Sequence, residues 1–177
     1  MILETYFEKV KLLESIFSSD ERGVFCKPFN QNLFKNYDLE SNFGEFFYST
    51  SKKNVIRGMH FQTPPINQTK LIFVIKGKII DVILDLRRSS LTYGQFVALE
   101  MTDDNKAIYI PTGFAHGFLS LQQNTIVGYF SSTPFYQQYD SGIKWDSFGY
   151  NWDVDKPIIS KKDYNLINLD NFISPFD

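Results

Sequence analysis

Cysteine is nearly absent from this chain. Cys26 is the only one in 177 residues, which excludes an intrachain disulfide and fits a reducing compartment. Histidine is almost as scarce, with His60 and His116 the only two. Of 18 basic residues four are arginine (Arg22, Arg57, Arg87, Arg88), leaving 14 lysines, so each arginine is informative. No apolar run reaches the roughly 18 residues of a membrane span. The opening MILETYFEKVKLLESIF carries Glu and Lys at close intervals, unlike a signal peptide. A soluble, cytoplasmic protein without membrane contact is expected. The net charge of −2 and the pI near 5.7 give no basic footprint, so nucleic acid is not an expected partner. No repeat, linker or low-complexity run divides the chain. Its length predicts one domain over residues 1–177, with a full core.

Aromatic residues, by contrast, are abundant: 17% of the chain, with 18 Phe and 10 Tyr, which suits a β-rich fold with large inward side chains. Residues 45–51 have strand composition, and after the turn at residues 51–54 a second strand covers 55–62. Pro64-Pro65 rules out a helix or central strand over residues 63–67. Residues 70–75 and 78–86 give the clearest strand signals, an apolar run broken only at Lys76-Gly77-Lys78. It reads as two buried strands joined by a tight turn. A loop over 87–93, a strand over 95–101, a turn over 102–106 and strands over 107–110, 117–121 and 125–131 follow. In residues 1–19 the positions of Val10, Leu12, Leu13, Ile16 and Phe17 fit a helix or a strand equally. Asp20-Glu21-Arg22-Gly23 is turn chemistry before a short strand at 24–26. Short helices are expected across 30–37 and near 161–166. Many short strands with turn signals about every ten residues indicate an all-β sandwich or barrel.

Both histidines fall in stretches that stand out from this background. VIRGMHFQTPPINQTK (55–70) holds His60, and IPTGFAHGF (110–118) holds His116. A His, an Arg and a Lys on strands with apolar surroundings point to a site inside a β-structure. Arg57 and Lys70 flank His60, and both cations would face one cavity if their strands pair. Cations crowded near an imidazole lower its pKa and keep it neutral, as a general base near pH 7 requires. The plainer reading is a buried histidine bonded to backbone.

RGMHFQ–PP–Q–K, the DLRRSS–T–GQ run and IPTGFAHGF keep residue type and mutual spacing. In these the sequence resembles the nucleotide-sugar 3,5-epimerases, from about Asp20 to about Asp163. The P-x-G-x-x-H form of residues 111–116 is similar to that of cupins. The resemblance implies a cupin-type double-stranded β-helix, a jelly roll, with a few short peripheral helices. It implies a homodimer exchanging N-terminal strands. The poor ligand set and a lysine able to stabilise an enolate lead to the expectation that no metal or organic cofactor is needed. The implied substrate is a nucleoside-diphosphate 4-keto-6-deoxy sugar, for surface-polysaccharide synthesis. The family's type member acts on dTDP-4-keto-6-deoxyglucose on the way to dTDP-rhamnose.

By the same resemblance His60 is the base that removes the protons next to the C4 ketone. Asp163 is the carboxylate that pairs with it, fixing its tautomer. Lys70 points inward, where an ammonium stabilises the charge developing on the ketone oxygen. Arg57 and His116 line the cavity, with Arg57 a diphosphate contact. Tyr129, 13 residues after His116, is the acid on the opposite face of the sugar. On residue type alone, Lys70 and Asp163 read equally well as surface charges and Tyr129 as an ordinary strand aromatic.

The recognition residues depart from the family pattern. The D-x-R-G-x-F-x-E box reads Asp20, Arg22, Gly23, Phe25 and Lys27, so the final Glu, near the thymine, is Lys27. The Q-x-N-x-S run reads Glu45, Phe46, Phe47, Tyr48 and Ser49, so Gln and Asn have become Glu45 and Phe47. A later aromatic, often Tyr, is Phe135. Such changes suit a different base or sugar: a carboxylate accepts from ring N–H donors, an ammonium serves acceptors. The substrate could thus be a GDP- or CDP-linked hexose or heptose, and inversion could stop at C3. Two further readings compete. One is a metal cupin isomerase or dioxygenase with His60, His116 and an acid such as Asp85 as ligands. The other is a non-catalytic sugar-binding cupin.

Overall fold

The computed structural model describes residues 1–177. The chain runs through β1 (Ile2–Tyr6), β2 (Val10–Glu14), β3 (Ile16–Asp20) and β4 (Gly23–Lys27), then α1 (Gln31–Asn36). Next come β5 (Glu45–Ser51), β6 (Ile56–Gln62), β7 (Lys70–Lys76), β8 (Lys78–Asp85) and β9 (Phe96–Thr102). β10 (Lys106–Ile110), β11 (Phe114–Ser120), β12 (Thr125–Ser131) and the short β13 (Asp140–Gly142) complete the strands, and α2 (Lys161–Tyr164) follows. The all-β jelly roll consists of a six-stranded sheet, β1-β2-β10-β7-β12-β5, and a five-stranded sheet, β13-β6-β11-β8-β9, antiparallel throughout. β3 and β4 pair only with each other.

Side-chain alternation along each strand sorts the core into three layers. Ile72, Val74, Ile83, Phe118 and Val127 meet between the sheets. Ile56, Met59, Val82, Leu84 and Leu119 face outward from the five-stranded sheet, beneath the C-terminal segment with Phe148, Trp152 and Phe176. Leu71, Ala107 and Tyr109 back the six-stranded sheet under Phe34 of α1. The helix starts where the Asn30 side chain accepts from the backbone N–H groups of Asn32 and Leu33, an ordinary N-cap. Strands such as β11, buried at every position, are covered on both faces. This is why their apolar residues do not alternate strictly with polar ones.

Two expectations need correction. β7 and β8 do not form a hairpin: the turn at Gly77 carries the chain from one sheet to the other. Gly77 has φ +94, and a Cβ there would lie 2.7 Å from the Thr125 hydroxyl, so the crossing needs glycine. Nor do the strands of Arg57 and Lys70 pair, since β6 and β7 lie in opposite sheets and face each other. The ambiguous N-terminus is entirely strand and turn up to β4.

Candidate active site

The site begins with an irregularity. β6 and β11 align His60 with His116, yet Arg57 with Phe118. Three steps on β6 therefore match two on β11, which is a β-bulge. The extra residue brings Arg57 and His60, three apart, onto the inward face together. At the bulge Gly58 has φ +128, and a Cβ would meet the Cα of Gly117 at 2.5 Å. Only glycine permits so close an approach of the two backbones.

Between the sheets lies a cavity of about 210 Å³. The five-stranded sheet contributes Arg57, His60, His116 and Phe118, and the six-stranded sheet contributes Phe47, Ser49, Lys70 and Tyr129. Lys70 faces inward in step with Ile72 and Val74, which settles its orientation.

His60 Nε2 lies 2.7 Å from Asp163 Oδ1. The second oxygen of Asp163 accepts from the Gly58 N–H at 3.2 Å, and Ser160 Oγ caps the Asp163 N–H at 3.0 Å. Burial pushes the Asp163 pKa up, but bonding and charge interaction with His60, with help from Gly58 and Ser160, hold it below the usual carboxylate value. An ionised Asp163 only accepts, so His60 Nε2 carries hydrogen and Nδ1 is left to take up a proton. The His60 pKa lies below its ordinary value chiefly because of burial. Asp163 opposes this shift, and Lys70 and Lys162 reinforce it. Burial, with Lys70 and Lys162 rather than Arg57, thus keeps the ring neutral.

Lys70 Nζ donates to the carbonyl of His60 at 3.3 Å. Burial lowers its pKa to about 8, partly offset by the charges of Asp140 and Asp81. Arg57 is anchored by Nε on Ser51 Oγ at 3.0 Å and by a terminal nitrogen on the Thr50 carbonyl at 3.1 Å. Tyr129 is buried, its hydroxyl 3.3 Å from Ser49 Oγ and its ring stacked on Phe47. Burial raises its pKa well above the ordinary phenol value, only partly countered by Ser49, so the hydroxyl keeps its proton.

Several residues of this site escape a reading of the sequence. Asp81 is fully buried on β8, with Oδ2 2.8 Å from His116 Nε2 and Oδ1 without a partner. An acid in the middle of the apolar stretch IIDVIL was the signal for it. A second hollow of about 170 Å³ shares Phe47, His60 and Lys70 with the first, and adds Glu45, Phe135 and the Lys162–Asp140 ion pair. Glu45 Oε2 accepts from the Phe135 N–H at 3.0 Å. Arg22, Phe25 and Lys27 are not brought to either hollow of their own chain. They lie on the β3–β4 hairpin, where Arg22 pairs with Asp20 and Lys27 rests 5.6 Å over the Phe25 ring. Asp85 does not join the histidines. It holds Arg87, Ser90 and Thr92 instead, and no three His, Cys, Asp or Glu side chains converge as a metal site would require.

A neutral imidazole, an ammonium and a protonated phenol around one cavity can remove a proton next to a carbonyl, stabilise the enolate and return a proton. Comparison with known proteins points the same way. The family model described as dTDP-4-dehydrorhamnose 3,5-epimerase matches residues 4–171. The enzyme of that name from Methanothermobacter thermautotrophicus is 41% identical over 92% of this chain and 91% of its own. The crystal structure of the Bacillus anthracis enzyme, with TDP and pyrophosphate bound, superposes with a TM-score of 0.92 at 38% identity, covering 96% of this chain and 99% of that one. A 3'-monoepimerase from Streptomyces bikiniensis, in complex with dTDP-quinovose, gives 0.87 at 25% identity over 92% and 85%. This chain belongs to the dTDP-4-dehydrorhamnose 3,5-epimerase family.

Proposed function

We propose that the protein inverts C3, C5 or both in a nucleoside-diphosphate 4-keto-6-deoxy sugar, by way of an enolate and without a cofactor. One observation carries the reading: His60 and Tyr129 stand on opposite sheets, with the cavity between them. A hexulose ring held there presents one face to a base and the other to a donor. His60 takes the proton next to the C4 ketone, and Asp163 stabilises the imidazolium that forms. Lys70 stabilises the oxyanion. Tyr129 delivers a proton to the opposite face, so the carbon leaves inverted. Arg57, beside His116, supplies a guanidinium for the diphosphate.

The β3–β4 hairpin supports a homodimer. All ten of its residues are exposed, Ile16, Phe17, Val24 and Phe25 among them, and such a ribbon needs a partner. Exchange between two copies would carry Arg22, Phe25 and Lys27 to the partner's site, where Lys27 and Glu45 would select the nucleotide. The test of the function is a panel of dTDP-, GDP- and CDP-linked 4-keto-6-deoxy sugars in deuterated buffer, read by mass and NMR. Deuterium should enter C3, C5 or both, with inversion. A chain that labels none of the panel is not an epimerase of these sugars.

A further inference from the structure

We propose that Phe47 is a positioning residue for Tyr129, setting how often an abstracted hydrogen is returned with inversion and at which of the two carbons. This rests on Tyr129 as the proton donor. Phe47 on β5 and Tyr129 on β12 are direct cross-strand partners. Their rings stack with centroids 4.7 Å apart and an interplanar angle of 12°. The Tyr129 ring also meets His116 edge-on, at 6.3 Å and 71°.

The ring is buried, but its hydroxyl has little polar anchorage. The torsion that turns an aromatic ring about its Cβ–Cγ bond is broad, so backbone position alone does not fix where the hydroxyl points. The one hydrogen bond of that hydroxyl, shared with Ser49 Oγ at 3.3 Å, lies beyond the usual O–H···O range. Among the ring's aromatic contacts, Phe47 is the one that lies flat against its face, and so the one that bears most directly on its tilt. β5 is an edge strand, paired on one side only. Phe47 itself is 42% exposed, so its ring can be changed without opening a core cavity.

C3 and C5 flank C4, and a donor serving both must address two positions from one anchor. A small tilt of the phenol favours one carbon over the other. A misplacement of about 1 Å costs up to about a hundredfold in rate, so ring tilt is a strong lever on stereochemical outcome. It acts on proton return and leaves removal by His60 in place.

The experiment compares wild type with Phe47→Leu, Phe47→Met and Phe47→Tyr in deuterated buffer, on whichever 4-keto-6-deoxy sugar of the dTDP-, GDP- and CDP-linked panel the wild type labels fastest. NMR and mass give, at each carbon, the ratio of inverted product to total hydrogen exchange. In the Leu and Met variants this ratio should fall about tenfold, unequally at C3 and C5. Phe47→Tyr, which restores a ring, should bring it back. An unchanged ratio in both aliphatic variants overturns the proposal. So does a fall of exchange and inversion by one common factor, since Phe47 would then serve substrate binding, and so does a tyrosine variant that fails to recover. Absence of exchange in the wild type with every sugar of the panel would instead overturn the epimerase reading itself, before any variant is compared.

Discussion

Replacing Lys70 by methionine should make the protein more stable and nearly inactive. Lys70 Nζ is enclosed between the sheets, and burial takes its pKa from 10.5 to about 8. That difference of about 2.5 units corresponds to about 3 kcal/mol of penalty on the charged form in the folded state. Solvent still reaches part of the side chain, so about 1–3 kcal/mol is the expected gain from removing the charge. Methionine keeps the unbranched stem and fills the space. The folded pKa lies below the unfolded one, so the penalty is present in full below about pH 8 and is relieved as pH rises towards 10.5. Urea unfolding of both proteins at pH 6.5 and pH 10 isolates this, because their other titrating groups are common to both and cancel in the difference. The variant should lead by about 1–3 kcal/mol at the lower pH, or about 2–4 °C in Tm per kcal/mol for a chain of this size. At pH 10 the lead should shrink towards the packing difference alone. Turnover should fall by about 10²–10³-fold as the oxyanion loses its cation. A variant no more stable at pH 6.5, or a gain that persists undiminished at pH 10, would refute the buried-charge argument.

The remaining expectations concern the same cavity. The pH profile of kcat/KM should be bell-shaped, with an acid limb below pH 6.5 from His60 and an alkaline limb near 8 from Lys70. In a Lys70→Arg variant that retains activity, the alkaline limb should move up; an unmoved limb assigns it elsewhere. His60→Asn should remove deuterium exchange at both carbons, a loss of about 10²–10⁴-fold or about 3–5 kcal/mol in the barrier, with the fold intact by circular dichroism. Exchange near the wild-type rate would sink that role. Tyr129→Phe should exchange hydrogen with retained configuration while inverted product falls sharply, most at C5; undiminished inversion at both centres would make Tyr129 a packing residue. Lys27→Glu should shift relative affinity towards dTDP-linked substrates, and an unchanged preference across the panel would make the departure at Lys27 incidental.

Much of the strand layout is legible because alternation and turn chemistry are local. Glu45–Ser51 and Thr125–Ser131 need only their own composition, and α1 needs only its Asn30 cap. Sheet membership is not local. The turn at Lys76-Gly77-Lys78 resembles a hairpin, yet β7 and β8 are each covered on both faces by different layers, which two strands paired only with each other could not achieve. The first nineteen residues stay ambiguous because their apolar positions satisfy both periods. What decides there is pairing of β2 with β10, more than ninety residues downstream.

The site itself depends on a break in the rule that makes strands readable. In a regular strand, residues three apart point to opposite faces, so Arg57 and His60 would not both face the cavity. The extra residue of the β6 bulge reverses that parity, and Gly58 is where the backbone accommodates it, against Gly117 of β11. The spacing of R-G-x-H is therefore explained by geometry: an arginine, a glycine that lets two backbones nearly touch, a spacer facing the outer core, and a histidine brought onto the arginine's face. The outward spacer is Met59, buried in the layer beneath the C-terminal segment. That segment in turn supplies Asp163 to both the Gly58 N–H and the His60 ring. One carboxylate thus ties the bulge to the imidazole of the proposed base, so the irregular backbone and that ring share one partner.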